Sequence, residues 1–351
     1  MNFTSPRRER GLTLIELMIG LVIGLLIVGM VGFLFLNTSR SYRQDERYSA
    51  LNDESRLAVT ELTNDLEMAG FWGTMIDPGL IQRSVVGDPT ADSLDGVNDC
   101  GADRFLRFTE AVRGLNSASA SAISAAFPCI DTAEIYAGPA GAGTAAIKVN
   151  HVAGTWISRV DLDARRAANT EAPRVFLQTL STAGGMFVSP ADPNQGVSGP
   201  LDVECAAAGD ICRYWEKRSS IYYVRDFTVA GDDIPCLTRK RLRTFSGAVR
   251  PVSECIVSGV EDFHVEYGVD TSGEGVPDHF TDAPDATDLA NTVALRLHLL
   301  VRSPEPDALY RNQKVYRLGG KQVQAPNDGY YRRVGSLAVP LRNVVAQRTF
   351  Q

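Results

Sequence analysis

The chain begins with a polar, basic stretch and then turns apolar for twenty-five residues, from Leu12 to Leu36, in "LTLIELMIGLVIGLLIVGMVGFLFL". That length crosses the hydrocarbon core of a bilayer as a helix. Beyond it the apolar residues thin to one face. Leu51, Ala58, Leu62, Leu66 and Ala69 recur at three-, four- and seven-residue steps, with Arg56, Glu61, Asp65 and Glu67 between them, as on one stripe of an amphipathic helix. No proline falls between Leu12 and Ala69, and "AGFWG" ends the pattern. The expectation is a single helix about 87 Å long at 1.5 Å per residue, apolar all round in its first half and one-sided in its second.

From 71 to 219 the pattern blurs. "GLNSASASAISAAF" and "AGPAGAGTAA" are rich in small and turn-forming residues and read as loops. "TAEIYA", "RVFLQTL" and "GGMFVS" read as short strands. From Ser220 onward period-two alternation sharpens in "SIYYVRDFTV", "VEDFHVEYGVD", "TVALRLHLLVRS" and "YYRRVGSLAVPLRNV", the signature of strands with one buried face. The order of helix, loop-rich insertion and sheet predicts an α+β fold. The antiparallel sheet of 220–351 would pack on the upper half of the long helix.

Charge bears on topology and partners. Arg7, Arg8 and Arg10 precede the apolar run and favour retention of that end in the cytoplasm, with the remainder outside. The run is longer than a secretory h-region, and "NTSRSYRQDER" after it has no small-residue cleavage pattern. The net charge of -7 argues against a broad nucleic-acid grip. Within the acidic chain, "RKRLR" at 239–243 is a compact basic run. It reads either as a hairpin edge guarded against aggregation or as a contact for an acidic partner.

Six cysteines, at 100, 129, 205, 212, 236 and 255, all follow the apolar run and none forms a C-x-x-C pair. An even number beyond a membrane segment points to disulfides in an oxidising compartment. The sequence does not choose among the connectivities. Neighbour pairing, Cys100 with Cys129, Cys205 with Cys212 and Cys236 with Cys255, is the expectation. Each such loop closure adds roughly 2–3 kcal/mol in the chain-entropy picture.

The residue out of place is Glu16, inside the apolar run. Seventeen Leu, Ile, Val and Phe residues there contribute roughly -5 to -10 kcal/mol to insertion, against about +3 for an acidic residue at a helix centre. Insertion therefore proceeds with Glu16 present. Were such helices to leave lipid and bundle, the carboxylate would need a positive partner. An α-amino group freed by cleavage after Gly11 is the nearest candidate. Gly20 and Gly24 supply a small-xxx-small spacing that permits close helix approach.

At this point the residues resemble a family. "GLTLIELMIGLVIGLL" is similar to the class III prepilin signal of type IV pilins. "IYYVRD", "GVEDFHVEYGVDTSGEGVPD" and "VALRLHLLVRSPE" resemble PilW-type minor pilins; the middle of the chain shows no resemblance. The likeness implies a pilin-like fold and a leader, 1–11, removed by prepilin peptidase. The cut falls between Gly11 and Leu12, Leu12 (where the family often has Phe) is methylated, and Glu16 acts in assembly. The helix divides into a transmembrane half, 12–36, and an amphipathic half, 37–70. Implied partners are the inner membrane, other major and minor pilins and the pilus assembly machinery. The implied locations are the inner membrane, with a periplasmic domain, and then the pilus. A minor pseudopilin of type II secretion shares signal and fold. A signal-anchored periplasmic enzyme, or an adhesin at a pilus tip, would draw on the insertion.

One further segment has candidate chemistry. In "DTSGEGVPDHFTD" oxygen ligands at Asp270, Ser272, Glu274 and Asp278, with the Val276 carbonyl, follow part of the spacing of a calcium loop. Thr281 replaces the bidentate glutamate, and Asp282 comes one residue late. A hairpin turn closed by its own Asp and Ser side chains is the alternative. The histidines at 151, 264, 279 and 298 are dispersed, and no nucleotide-binding, zinc-protease or serine-hydrolase motif occurs.

Overall fold

The computed structural model describes residues 13–86, 100, 105, 110–167, 174–180, 183–189, 205, 211–245 and 248–349. Absence of proline and a long run of helix formers let one helix, α1 (Leu14–Glu67), propagate for 54 residues. Gly70, at φ +76°, turns the chain out after it, a conformation open to glycine at little cost. Residues Met1–Ser49 and Ala50–Gln351 form two units. In the first, the apolar side chains from Leu14 to Leu36 are exposed.

The second unit is built around the amphipathic end of α1. Leu51, Ala58, Leu62, Leu66 and Ala69 are all fully buried. Their stripe packs against Ile147, Val149, Tyr222, Phe263, Val265, Leu295, Leu297, Leu299 and Val339. Each fully buried leucine in such a cluster contributes roughly 1.5–3 kcal/mol relative to exposure.

Two sheets supply that surface. The larger comprises β1 (Ile81–Val86), β2 (Val112–Ala118), β3 (Thr144–Ile157), β4 (Arg174–Leu180), β5 (Ala183–Ser189), β6 (Arg213–Arg225), β7 (Cys236–Phe245) and β8 (Ala248–Ser258). Its order is β1-β5-β4-β6-β3-β2, with β7 pairing β6 and β8. The β1–β5 pair is parallel. The other pairs are antiparallel. The smaller sheet is antiparallel and contains β9 (Val260–Val269), β10 (His279–Thr281), β11 (Thr292–Arg302) and β14 (Arg332–Pro340) in the order β10-β9-β11-β14. A hairpin of β12 (Val315–Leu318) and β13 (Lys321–Gln324) stands apart. Gly259 carries the chain between the sheets at φ +75°. A Cβ there would lie 2.8 Å from the Arg302 carbonyl oxygen, so the kink and the close approach both demand glycine.

The middle region supplies more regular structure than its composition predicts. The run "GLNSASASAISAAF" contains most of β2 and a short helix, α2 (Ala120–Ala126). Ser119 Oγ caps α2 by accepting the Ala122 N–H at 3.2 Å. Among the described residues the longest strand, β3, falls here too. It shows no alternation because ten successive residues are buried, its polar members being paired rather than solvated. "TAEIYA", expected as a strand, instead opens with a 3-10 turn at Thr132–Glu134. Its cap is Asp131, which accepts the Ala133 N–H at 3.0 Å; competition of this kind draws backbone away from a ladder. "RVFLQTL" and "GGMFVS" lie in β4 and β5. The last segment forms β14 and then turns helical at Arg342–Thr349.

Disulfides join Cys100 to Cys129, Cys205 to Cys212 and Cys236 to Cys255. The last links neighbouring strands β7 and β8, in which Thr238 lies opposite Cys255.

Candidate functional site

The first turn of α1 has a definite geometry. Thr13 stands just before the helix, and Glu16 is its third residue. The Glu16 carboxylate accepts both the Thr13 N–H, at 2.9 Å, and the Thr13 hydroxyl, at 2.8 Å. Thr13 Oγ1 in turn accepts the Glu16 N–H at 3.3 Å. This is a capping box, in which two otherwise unpaired helix-end donors are satisfied reciprocally. An acidic side chain in the first turn also favours the positive end of the helix dipole.

Sequence reasoning singled out Glu16 and passed over Thr13, although T-x-x-E before an apolar run is itself a capping signature. The structure brings these two residues together. Gly11 and Leu12 lie outside the described residues. Around Gly20 and Gly24 a Cβ would meet nothing within 4 Å. Neither glycine is therefore required by packing within this chain. Of the described residues, α1 is the one helix long and apolar enough to cross a membrane.

The Asp270–Asp278 turn follows β9 directly. Asp270 is almost fully buried. Its Oδ1 accepts the Gly273 N–H at 2.6 Å and the Ser272 hydroxyl at 3.1 Å. Its Oδ2 accepts the Gly275 N–H at 2.8 Å, and the Arg348 guanidinium lies 3.5 Å away. Burial pushes this carboxyl up, but the two backbone donors, Ser272 and Arg348 together hold it below the usual range. Asp278 Oδ2 accepts the Thr271 N–H at 2.7 Å, the Thr271 hydroxyl at 2.6 Å and the Ser272 N–H at 3.2 Å. Glu274 accepts from the Ser272 hydroxyl at 3.0 Å, and the Val276 side chain is exposed. Asp270, Ser272 and Glu274 do converge. The aspartates, however, face N–H and O–H donors instead of sharing an oxygen cage. Among the described residues no three His, Cys, Asp or Glu side chains are grouped to hold a metal ion. The geometry is that of a turn closed by its own donors.

The histidines remain dispersed. His151 Nε2 lies 2.8 Å from Asp65 on α1. His264 and His298 face each other in register on β9 and β11, beside Asp282 and Glu266 respectively.

The architecture is thus a bare apolar helix, opened by a threonine–glutamate cap, that continues into an α+β domain. Comparison with known families is more particular. Residues 221–343, from the second half of β6 into the C-terminal helix, match the family model described as type IV pilus-assembly protein W, PilW. Residues 6–32 match the prokaryotic N-terminal methylation motif. Together the two matches support a minor pilin of the type IV pilus. Among solved structures, the chain is similar to a type IV-like pilin from Thermus thermophilus, at 15% identity over 54% of this chain and 100% of that one, with a TM-score of 0.24. No curated protein matches the chain.

Proposed function

We propose that this minor pilin is cut between Gly11 and Leu12 by prepilin peptidase and methylated on Leu12. It enters the inner membrane with its basic leader in the cytoplasm and its domain in the periplasm. From there it is built into a type IV pilus or its initiating tip complex, beside other major and minor pilins. The exposed apolar half of α1 carries this reading. A surface of that kind is stable in lipid or against other helices and costly in water. Glu16 is the assembly residue: its carboxylate, held in the monomer by Thr13, neutralises the amine that cleavage creates on a neighbouring subunit. The role is structural rather than catalytic.

Membrane entry and assembly are separable in a Glu16→Ala variant. Insertion survives, because it loses an unfavourable charge, while pilus formation drops. Intact-mass and N-terminal sequencing of protein recovered from the membrane tests the processing step, the expected first residue being N-methylated Leu12. A mature chain that retains Met1–Gly11 would overturn the reading and favour a signal-anchored periplasmic protein. The PilW match supports the pilus over a type II secretion pseudopilus.

A further inference from the structure

Most of the basic run at 239–243 is not at an edge. Residues 239–241 of β7 lie between β6 and β8, while Leu242 and Arg243 pair with β8 alone, so the expected hairpin edge is confined to the last two residues of the run. Arg239, Arg241 and Arg243 alternate onto one face, while the ammonium of Lys240 on the other face meets the Cys129 carbonyl oxygen at 2.5 Å. In the β6–β7 register Ser220 lies opposite Arg241 and Tyr222 opposite Arg239. On β6, Arg218 and Glu216 extend the same face. Arg174 of β4 and the Glu61 side of α1 complete the walls of a cleft of about 660 Å³.

Five guanidinium groups line this cleft, and among the described residues too few carboxylates answer them. Glu254 Oε2 alone serves Arg239 and Arg241 at 3.4 Å each and Arg243 at 3.0 Å. Glu216 is divided between Arg174 at 3.0 Å and Arg218 at 3.6 Å. Glu61 adds a contact to Arg239 at 3.4 Å. The Nε atoms of Arg239 and Arg241 are buried with no hydrogen-bond partner among the described residues. Asp65, also on the wall, is already committed to His151 and to the Tyr222 hydroxyl, which it accepts at 2.9 Å. The result is a local excess of positive charge on a chain whose net charge is -7.

We infer that this cleft binds a short acidic peptide segment of a protein partner, its Asp or Glu carboxylates completing the coordination of Arg218, Arg241 and Arg243. Guanidinium groups pair with carboxylates through two parallel N–H donors. Here they already hold carboxylates from their own chain, at less than one per arginine. The acidic remainder of the surface repels a long polyanion, whereas a segment of a few residues meets mainly the cleft itself. This inference does not depend on the pilus assignment.

The test uses the full-length protein in detergent and fluorescence anisotropy of labelled hexaglutamate, with hexaglutamine and a dT hexanucleotide as comparators. Hexaglutamate binds and the other two do not, and its affinity falls several-fold between about 50 and about 300 mM salt. Arg218 and Arg243 are half exposed, so Arg218→Gln and Arg243→Gln keep the fold, and together they weaken binding about tenfold or more. Glu254→Gln acts in the opposite direction. Freeing three guanidinium groups from their shared carboxylate tightens hexaglutamate binding several-fold. Equal binding of hexaglutamine, tighter binding of the oligonucleotide, or a folded Glu254→Gln variant that binds more weakly overturns the proposal.

Discussion

Replacing Arg332 with methionine tests how the smaller sheet is locked. The guanidinium is buried at the start of β14. Its Nε donates to Glu261 Oε2 at 2.6 Å and its Nη2 to Oε1 at 2.9 Å. The same group holds Asp328 through Nη1 and Nη2, both at 2.6 Å. Glu261 is 1% exposed. Among the described residues, removal of Arg332 leaves it one cation, Arg302, at 3.6 Å. Methionine fills similar volume, so the loss is electrostatic rather than a cavity. Breaking one side of a buried pair costs roughly 3–5 kcal/mol, because the remaining charge stays desolvated. At about 2 °C per kcal/mol for a large domain, the melting temperature should fall roughly 6–10 °C. Scanning fluorimetry of the full-length protein in detergent, following tryptophan emission, reads this directly. Adding Glu261→Met to the same chain should recover part of the loss, since the orphaned charge is then gone. A single variant that melts within about 2 °C of the parent would refute the reasoning, as it would place the net worth of the pair near that of a surface contact.

Two other outcomes follow from the same network and from the Asp270 turn. Burial holds the Asp262 carboxyl up, to about 7, against the pull of Lys321. Ionising it therefore costs folded-state stability as pH rises from about 4 toward 7. Asp328 and Asp278 are held below their usual values, Asp328 by Arg332 against opposing burial and Asp278 chiefly by the Thr271 hydroxyl and N–H. Their stabilisation is present above about pH 4 and is lost as pH falls below it. Melting temperature should thus peak at mildly acidic pH, and Asp262→Asn should flatten the neutral limb. Millimolar calcium should leave the melting temperature unchanged within about 1 °C if the turn is closed by its own donors. A rise of several degrees would instead reveal a ligand-stabilised site.

What the sequence disclosed follows from one-sidedness. The stripe from Leu51 to Ala69 is legible because one face of α1 is buried and the other is not. β11 is legible for the same reason, since Leu295, Leu297 and Leu299 point to the core while Arg296 and His298 do not. β3 is hidden because both of its faces are covered. Lys148 faces Glu110 at 3.5 Å and His151 faces Asp65, so polar residues that mimic a loop are in fact buried and paired. "RKRLR" looks like an edge because its charges suggest solvent. Strand order, a long-range property, places its first three residues inside the sheet. At the candidate site, Glu16 stands out by contrast with its apolar neighbours, whereas Thr13 attracts no notice because threonine is unremarkable anywhere. The capping role needed both ends of the spacing to be considered at once.

The stripe on α1 has a mechanical consequence. Because Leu51 through Ala69 contact strands of both sheets, a pull along the helix is not borne by one hairpin that can peel strand by strand. It loads the two sheets together and in shear, so many side-chain contacts must give way at once. The β7–β8 disulfide closes a covalent loop of the larger sheet within reach of that interface. A subunit organised in this way would resist tension along its helix far better than tension applied across a sheet edge.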